Sequence, residues 1–201
     1  SQGYMLTSIT ADDGGKSYIA ALNLLSNQDE YDINMILIPG IADDLGGAHA
    51  GIITKAIDIA EGRGDCFVIY DVVGKSETSI ANVTTKAGTR DSNYAATYWP
   101  WIQVSDNQTG AMRWVPPSSV LCGIYAFNDK VAAPWFAPAG LNRGGLDTVI
   151  QAERKLTHSN RDELYESNVN PIATFPGQGV VVWGQKTLPV SYTHLRAHET
   201  D

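Results

Sequence analysis

The chain has 201 residues, 43% of them hydrophobic and 18% charged, the composition of an ordinary globular protein with matter enough for one large core. Its formal net charge of -8, with no cluster of Lys or Arg to offset it, argues against a surface that tracks phosphates, so nucleic acid is not expected as a partner. No run approaches the roughly 20 consecutive apolar residues of a membrane span and no charged-then-apolar leader opens the sequence as given, so no membrane partner is expected either.

In chain order, "SYIAALNLLS" from Ser17 to Ser26 reads as a helix, followed by the continuous apolar run "INMILI" from Ile33 to Ile38. A second helix follows over "AGIITKAIDIAEG", Ala50 to Gly62. There Ile52, Ile53, Ala56, Ile59 and Ala60 share one face and Gly62 stands near the stop. "CFVIY", Cys66 to Tyr70, is another continuous apolar run, and "VVVW", Val180 to Trp183, is a third. Continuous rather than alternating runs are strands covered on both faces, which predicts a largely parallel sheet built by βαβ grammar.

A polar, helix-compatible segment from Glu77 to about Arg90 leads into "YAATYWPWIQV". The polar residues Asp106 to Gly110 then lie between two β-prone runs and read as a hairpin. "PPSSVLCGIYAFND" starts on prolines, and Val120, Leu121, Ile124, Tyr125 and Phe127 make it a mostly apolar, buried helix. In "GGLDTVIQAERKL", Leu146, Val149, Ile150 and Leu156 have helical spacing. The next helix begins where Ser159 and Asp162 resemble a capping box, with Leu164 and Tyr165 as its inner face. The expectation is an α/β fold: a largely parallel or mixed sheet covered by helices, with a hairpin-bearing elaboration.

Candidate chemistry is sparse. Gly15-Lys16-Ser17 and Gly74-Lys75-Ser76 lack the upstream glycine of a phosphate loop, whose place is held by Thr10 and Ile69, so both read as turns or helix starts. Asp71 ends a strand and Asp43 with Asp44 follows another, and ligands of open α/β sheets bind beyond strand carboxyl ends. That is the best enzymatic hint; the competing reading makes these residues turn formers or helix caps. His49 and His158 lack companions, while His194 and His198 have the i, i+4 spacing of a helical metal pair. Arg63-Gly64-Asp65 spells an adhesion tripeptide but falls where a connecting turn is needed. Cys66 and Cys122 both lie in apolar runs and read as buried thiols; Asn82 and Asn107 open chance-level glycosylation sequons. No catalytic, cofactor-binding or metal-ligating residue is assigned. The strongest local signal is structural: Trp99, Trp101, Trp114 and Trp135 are concentrated among prolines, the makings of a rigid framework and of contact surfaces.

The phrases "WVPPSSVLCGIYAFNDKVAAPWFAPAGLNRGGL" and "RDELYESNVNPIATFPGQGVVVWGQKTL" resemble tail sheath proteins of contractile-tailed bacteriophages, the large T4-like kind especially. "YDINMILIPGI" and "GRGDCFVIYDV" look like the same pattern, so the similarity runs over most of Gly3 to Leu188. The resemblance implies a structural subunit, not an enzyme. Copies of it would stack as a helical sleeve around a tail tube protein, between a baseplate and a tail terminator, and shorten to drive the tube through the host envelope. It implies a place in the virion tail sheath, and in the host cytoplasm during assembly. It also implies a further segment after "WGQKTL" that exchanges arms between neighbours. Here Pro189 to Asp201 stand instead, and "VSYTHLRAHET", Val190 to Thr200, resembles a translated transposase-end sequencing adapter. Residues 1–188 are therefore expected to be the sheath region and 189–201 a non-native tail. Two alternatives stay open: an α/β metal-assisted hydrolase using Asp71, and a terminator or baseplate protein that shares the sheath fold.

Overall fold

A computed structural model describes residues 6–132 and 136–189. Two sheets organise the chain. The larger has five strands in the order β1 (Met35–Ala42), β2 (Phe67–Asp71), β3 (Ala95–Trp99), β7 (Asn170–Phe175) and β8 (Gly179–Val182). The smaller has the order β5 (Met112–Val115), β4 (Ile102–Ser105), β6 (Val149–Ala152). β1, β2, β3 and β7 run parallel, in the register Met35↔Phe67, Val68↔Ala95 and Tyr98↔Asn170. The expected α/β architecture with a hairpin elaboration is thus present.

Alternation along β2 divides the core into two. Val68 and Tyr70 face the layer made by α1 (Asp13–Leu25), α2 (Ala48–Arg63), α3 (Ile80–Ala87) and α5 (His158–Glu166). Ile69 faces α4 (Ser118–Val131) and the small sheet. Both faces are therefore covered, which is why the run is continuously apolar. α2 buries Ile52, Ile53, Ala56, Ile59 and Ala60 on the face its spacing predicts, each isoleucine contributing about 2 kcal/mol. It stops at Gly64 rather than Gly62: the φ of 72° there is the left-handed conformation a glycine adopts without strain, and its N–H donates to the Ala60 carbonyl at 2.8 Å.

Several expectations are corrected by long-range pairing. "YAATYWPWIQV" is β-strand as its β-prone character predicts, but it divides between two sheets at the cis Trp99–Pro100 bond. The stretch of helical spacing from Leu146 contains no helix; Val149–Ala152 is β6, with Ile102↔Ala152 and Gln103↔Gln151 paired across it. Four residues with β-branched Val149 and Ile150 satisfy either period, and pairing with the second edge of β4 decides. β8 is antiparallel to β7, not parallel, because only three residues (Pro176, Gly177, Gln178) separate the strands and such a link closes a hairpin.

The capping box of α5 is Thr157 with Asn160: each side chain takes the other's backbone N–H at 3.3 Å. Ser159 and Asp162 lie inside the helix, and of the expected inner pair Leu164 is buried while Tyr165 is exposed. α4 is amphipathic rather than buried. Leu121, Ile124 and Asn128 face inward, whereas Cys122 and Phe127 point outward, so only Cys66 of the two thiols is buried.

The outer edge of β8 is sealed by residues 140–146. Gly140 N and Leu146 N donate to Val182 O and Val180 O, both at 2.9 Å, and Val182 N donates to Gly144 O at 2.8 Å. The approach is so close that a Cβ on Gly144 would stand 2.5 Å from Val182 O. After β8 the chain returns across the sheet end. Buried Asn170 donates to Thr97 O and Lys186 O and accepts from Lys186 N, and Leu188 N donates to Ala95 O.

Candidate functional site

The strand carboxyl ends carry the three carboxylates singled out above, and each is engaged with the fold itself. Asp71, at the end of β2, is 1% exposed and receives the Ser118 hydroxyl at 2.7 Å and the Ser118 N–H at 3.2 Å, so it caps α4 from another element. Burial pushes its carboxyl up to about 6, against the Ser118 donors and the Gly40 N–H that favour the anion. Asp43, in the 3-10 turn after β1, forms a two-pronged pair with Arg90: Nε to Oδ2 and Nη2 to Oδ1, both 2.8 Å. Arg90 also donates to Thr54 Oγ1 and Ala50 O on α2, so one guanidinium joins β1, α2 and the approach to β3. Asp44 accepts the Gly74 N–H at 2.7 Å and ties the β1 and β2 loops together.

Spent in this way, the carboxylates act as turn and cap formers. Among the described residues no group of three or more His, Cys, Asp or Glu side chains converges as a metal ligand set. Tyr70 stands against Arg90, with its hydroxyl buried and without a hydrogen-bond partner among the described residues; burial raises its pKa.

The other sequence candidates scatter. Lys16 and Ser17 sit in the first turn of α1, where Ser17 Oγ donates to Asp13 O at 2.6 Å. Lys75 lies 5.3 Å over the Trp114 ring. His49 is half-buried near Asp44, and burial lowers its pKa; His158 is exposed and paired with Asp162 at 2.7 Å. Arg63 is no adhesion loop: its guanidinium is buried and bonds to Leu25 O, Tyr31 O and Asp65. Asn82 donates to Glu77, and Asn107 is at the exposed hairpin tip. His194, His198, Trp135 and the adapter-like Val190 to Thr200 lie outside the described residues.

Two surface features have no such internal use. One is a hollow of about 360 Å³ between α4 and the 141–148 loop, lined by Val120, Phe127, Leu141 and Leu146, with Phe127 50% exposed. The other is a pocket of about 300 Å³ at the β8 edge, lined by Ala137, Ala139, Gly140, Arg161, Tyr165 and Trp183 among others. Phe175 and Trp183 pack with ring centroids 4.8 Å apart, and the Arg161 guanidinium lies 5.0 Å and 5.9 Å from their centres. Sequence reasoning did not find this pocket. Arg161, Phe175 and Trp183 come from α5, the end of β7 and the residue after β8, and only the sheet brings them together.

The family model described as the phage tail sheath protein central domain matches residues 13–188. The tail sheath protein of Vibrio phage KVP40 is 28% identical over 205 residues, covering 88% of this chain and 30% of the relative. That of Enterobacteria phage T4 is 27% identical over 183 residues, covering 83% and 28%. The chain thus spans about three-tenths of the length of these curated relatives. Its fold is similar to a chain in a solved extracellular contractile injection system sheath complex in the contracted state, with TM-score 0.64 and 23% identity over 85% of this chain and 44% of that one. It is also similar to a chain in the anti-feeding prophage baseplate, with TM-score 0.63 and 24% identity over 90% of this chain and 44% of that one.

Proposed function

This chain belongs to the phage tail sheath family, matched through the central domain, and we propose that it is part of a subunit that polymerises around a tail tube and contracts to drive the tube through the host envelope. The match over residues 13–188 carries the reading. The physics supports it: a head-to-tail contact that does not close yields a helical filament, and a few kcal/mol gained per subunit on repacking sums to a large mechanical output along a sleeve.

The work asked of the protein is then mechanical, with other copies of itself, the tube, the baseplate and the terminator as partners. The virion tail is its place after assembly in the host cytoplasm. The hydrolase alternative needs a free carboxylate at Asp71, and Ser118 occupies both oxygens. Similarity to a baseplate chain keeps a capping role as the second reading. Residues 1–188 form the sheath region in this proposal, and 189–201 are a non-native tail; a continuous long read of the source DNA across the Leu188 and Pro189 codons tests that boundary.

The full-length protein should form tubes or rings in negative-stain electron microscopy. A persistent monodisperse monomer under assembly conditions defeats the proposal, and short capped stacks favour the terminator reading.

A further inference from the structure

Charge is unevenly divided along this chain. Residues 6–94 hold 13 Asp or Glu and 6 Lys or Arg, whereas residues 95–189 hold 7 of each. The first group builds α1, α2, β1 and β2, at one end of the sheet order, and the second builds β7, β8 and the pocket at the other end. On the outer face of α2 a hollow of about 350 Å³ is rimmed by Asp58, Glu61 and Asp91, all exposed, and by Arg90, whose guanidinium is already engaged by Asp43. Asp58 and Asp91 make no side-chain hydrogen bond or ion pair among the described residues; Glu61 takes one from Ser92.

The pocket at the β8 edge has the complementary chemistry. Arg161 is stacked on Phe175 and Trp183, yet its guanidinium makes no hydrogen bond or ion pair among the described residues. A planar cation held in place by two rings, with its N–H donors free, is prearranged for a flat carboxylate. Lys186, beside the pocket, lies 3.9 Å over the Tyr165 ring and donates to the Tyr165 carbonyl at 2.9 Å. The acid on the rim, Asp162, is taken by His158. Trp183 and Tyr165 are 41% and 37% exposed, and rings of this kind with an arginine are the usual anchors of protein interfaces.

We propose that the Arg161–Trp183 pocket of one copy receives the acidic α2 face of a second copy, through the carboxylates of Asp58 and Glu61. The proposal rests on the sheath reading for its many-copy setting. Two different patches at opposite ends of one sheet that meet without reciprocal pairing form a heterologous contact: each copy offers a pocket to one neighbour and an acidic face to another, and the contact propagates. A carboxylate held by a stacked guanidinium is also sensitive to salt, because part of the attraction is between exposed charges.

The test uses the 201-residue chain in sedimentation equilibrium at low and high salt. Wild type should self-associate into a concentration-dependent series that 0.5 M NaCl suppresses. Arg161→Gln and the double variant Asp58→Lys/Glu61→Lys should each weaken self-association about tenfold or more. Mixed together, they should form 1:1 heterodimers and nothing larger, since only one live pocket and one live acidic face remain.

Circular dichroism of each variant reports folding, and because the two lie at opposite ends of the sheet they test the contact independently. The proposal is overturned if wild type stays monomeric to its solubility limit, if it forms only two-fold dimers, if either variant associates as wild type does, or if the mixture does not pair. An acidic segment of a different tail protein as the true occupant would appear as a wild-type chain that is monomeric alone. Should full-length tubes form regardless of Arg161→Gln, the sheath reading stands and this contact falls.

Discussion

Replacing Asp71 by Asn isolates the one strand-end carboxylate whose protonation the fold strongly perturbs. Its carboxyl goes from an ordinary 3.8 to about 6 because burial penalises the charge, so the group is easier to protonate in the folded chain than in the unfolded one. Its contribution to stability is therefore greatest below about pH 4 and is lost as the pH rises through about 6. Two pH units correspond to about 3 kcal/mol. In Asp71→Asn the amide oxygen still accepts from Ser118, whose hydroxyl can turn to accept from the new NH₂, so the cap on α4 survives without the charge.

Urea unfolding followed by tryptophan fluorescence, on both proteins from pH 4 to pH 8, measures the difference and cancels every other titrating group. At pH 8 the variant should equal or exceed wild type. On acidification to pH 4 wild type should gain about 2.5 kcal/mol relative to the variant, most of the full value, because the unfolded carboxyl is itself partly protonated there. Parallel profiles would refute the reasoning. A slope of opposite sign would mean that the Ser118 donors and the α4 N-terminus outweigh burial.

Three further outcomes follow from the packing. Asp43→Ala strands Arg90 in a site where its side chain is only 13% exposed, and should cost about 3 kcal/mol or more in urea unfolding at pH 7. Tyr70→Phe removes a buried hydroxyl that has no hydrogen-bond partner among the described residues, so its urea midpoint should match or exceed that of wild type, in contrast to the usual cost of a lost hydroxyl. Gly144→Ala drives a Cβ to within 2.5 Å of Val182 O and should release the cover of β8; hydrogen exchange at Val182 N, bonded to Gly144 O, should quicken well beyond that at β2 amides.

What the sequence determined by itself was local. The continuous runs of β1 and β2, the face of α2 and the hairpin at Asp106 could be read because their patterns repeat within a few residues, the range over which side-chain periodicity reports on burial. The family was legible too, because phrases such as "WGQKTL" are specific in combination.

What only the tertiary structure decided rests on partners distant in the chain. Val149–Ala152 became a strand because β4, nearly fifty residues earlier, offered an edge; no window around Val149 contains that fact. Asp71 caps α4 because that helix starts at Ser118, 47 residues away. Arg161, Phe175 and Trp183 read as unrelated until β7 and β8 fold back beside α5 and stack them into one pocket. Periodicity tells each residue which side faces the core; only chain closure, paid in conformational entropy, tells it which neighbour it meets there.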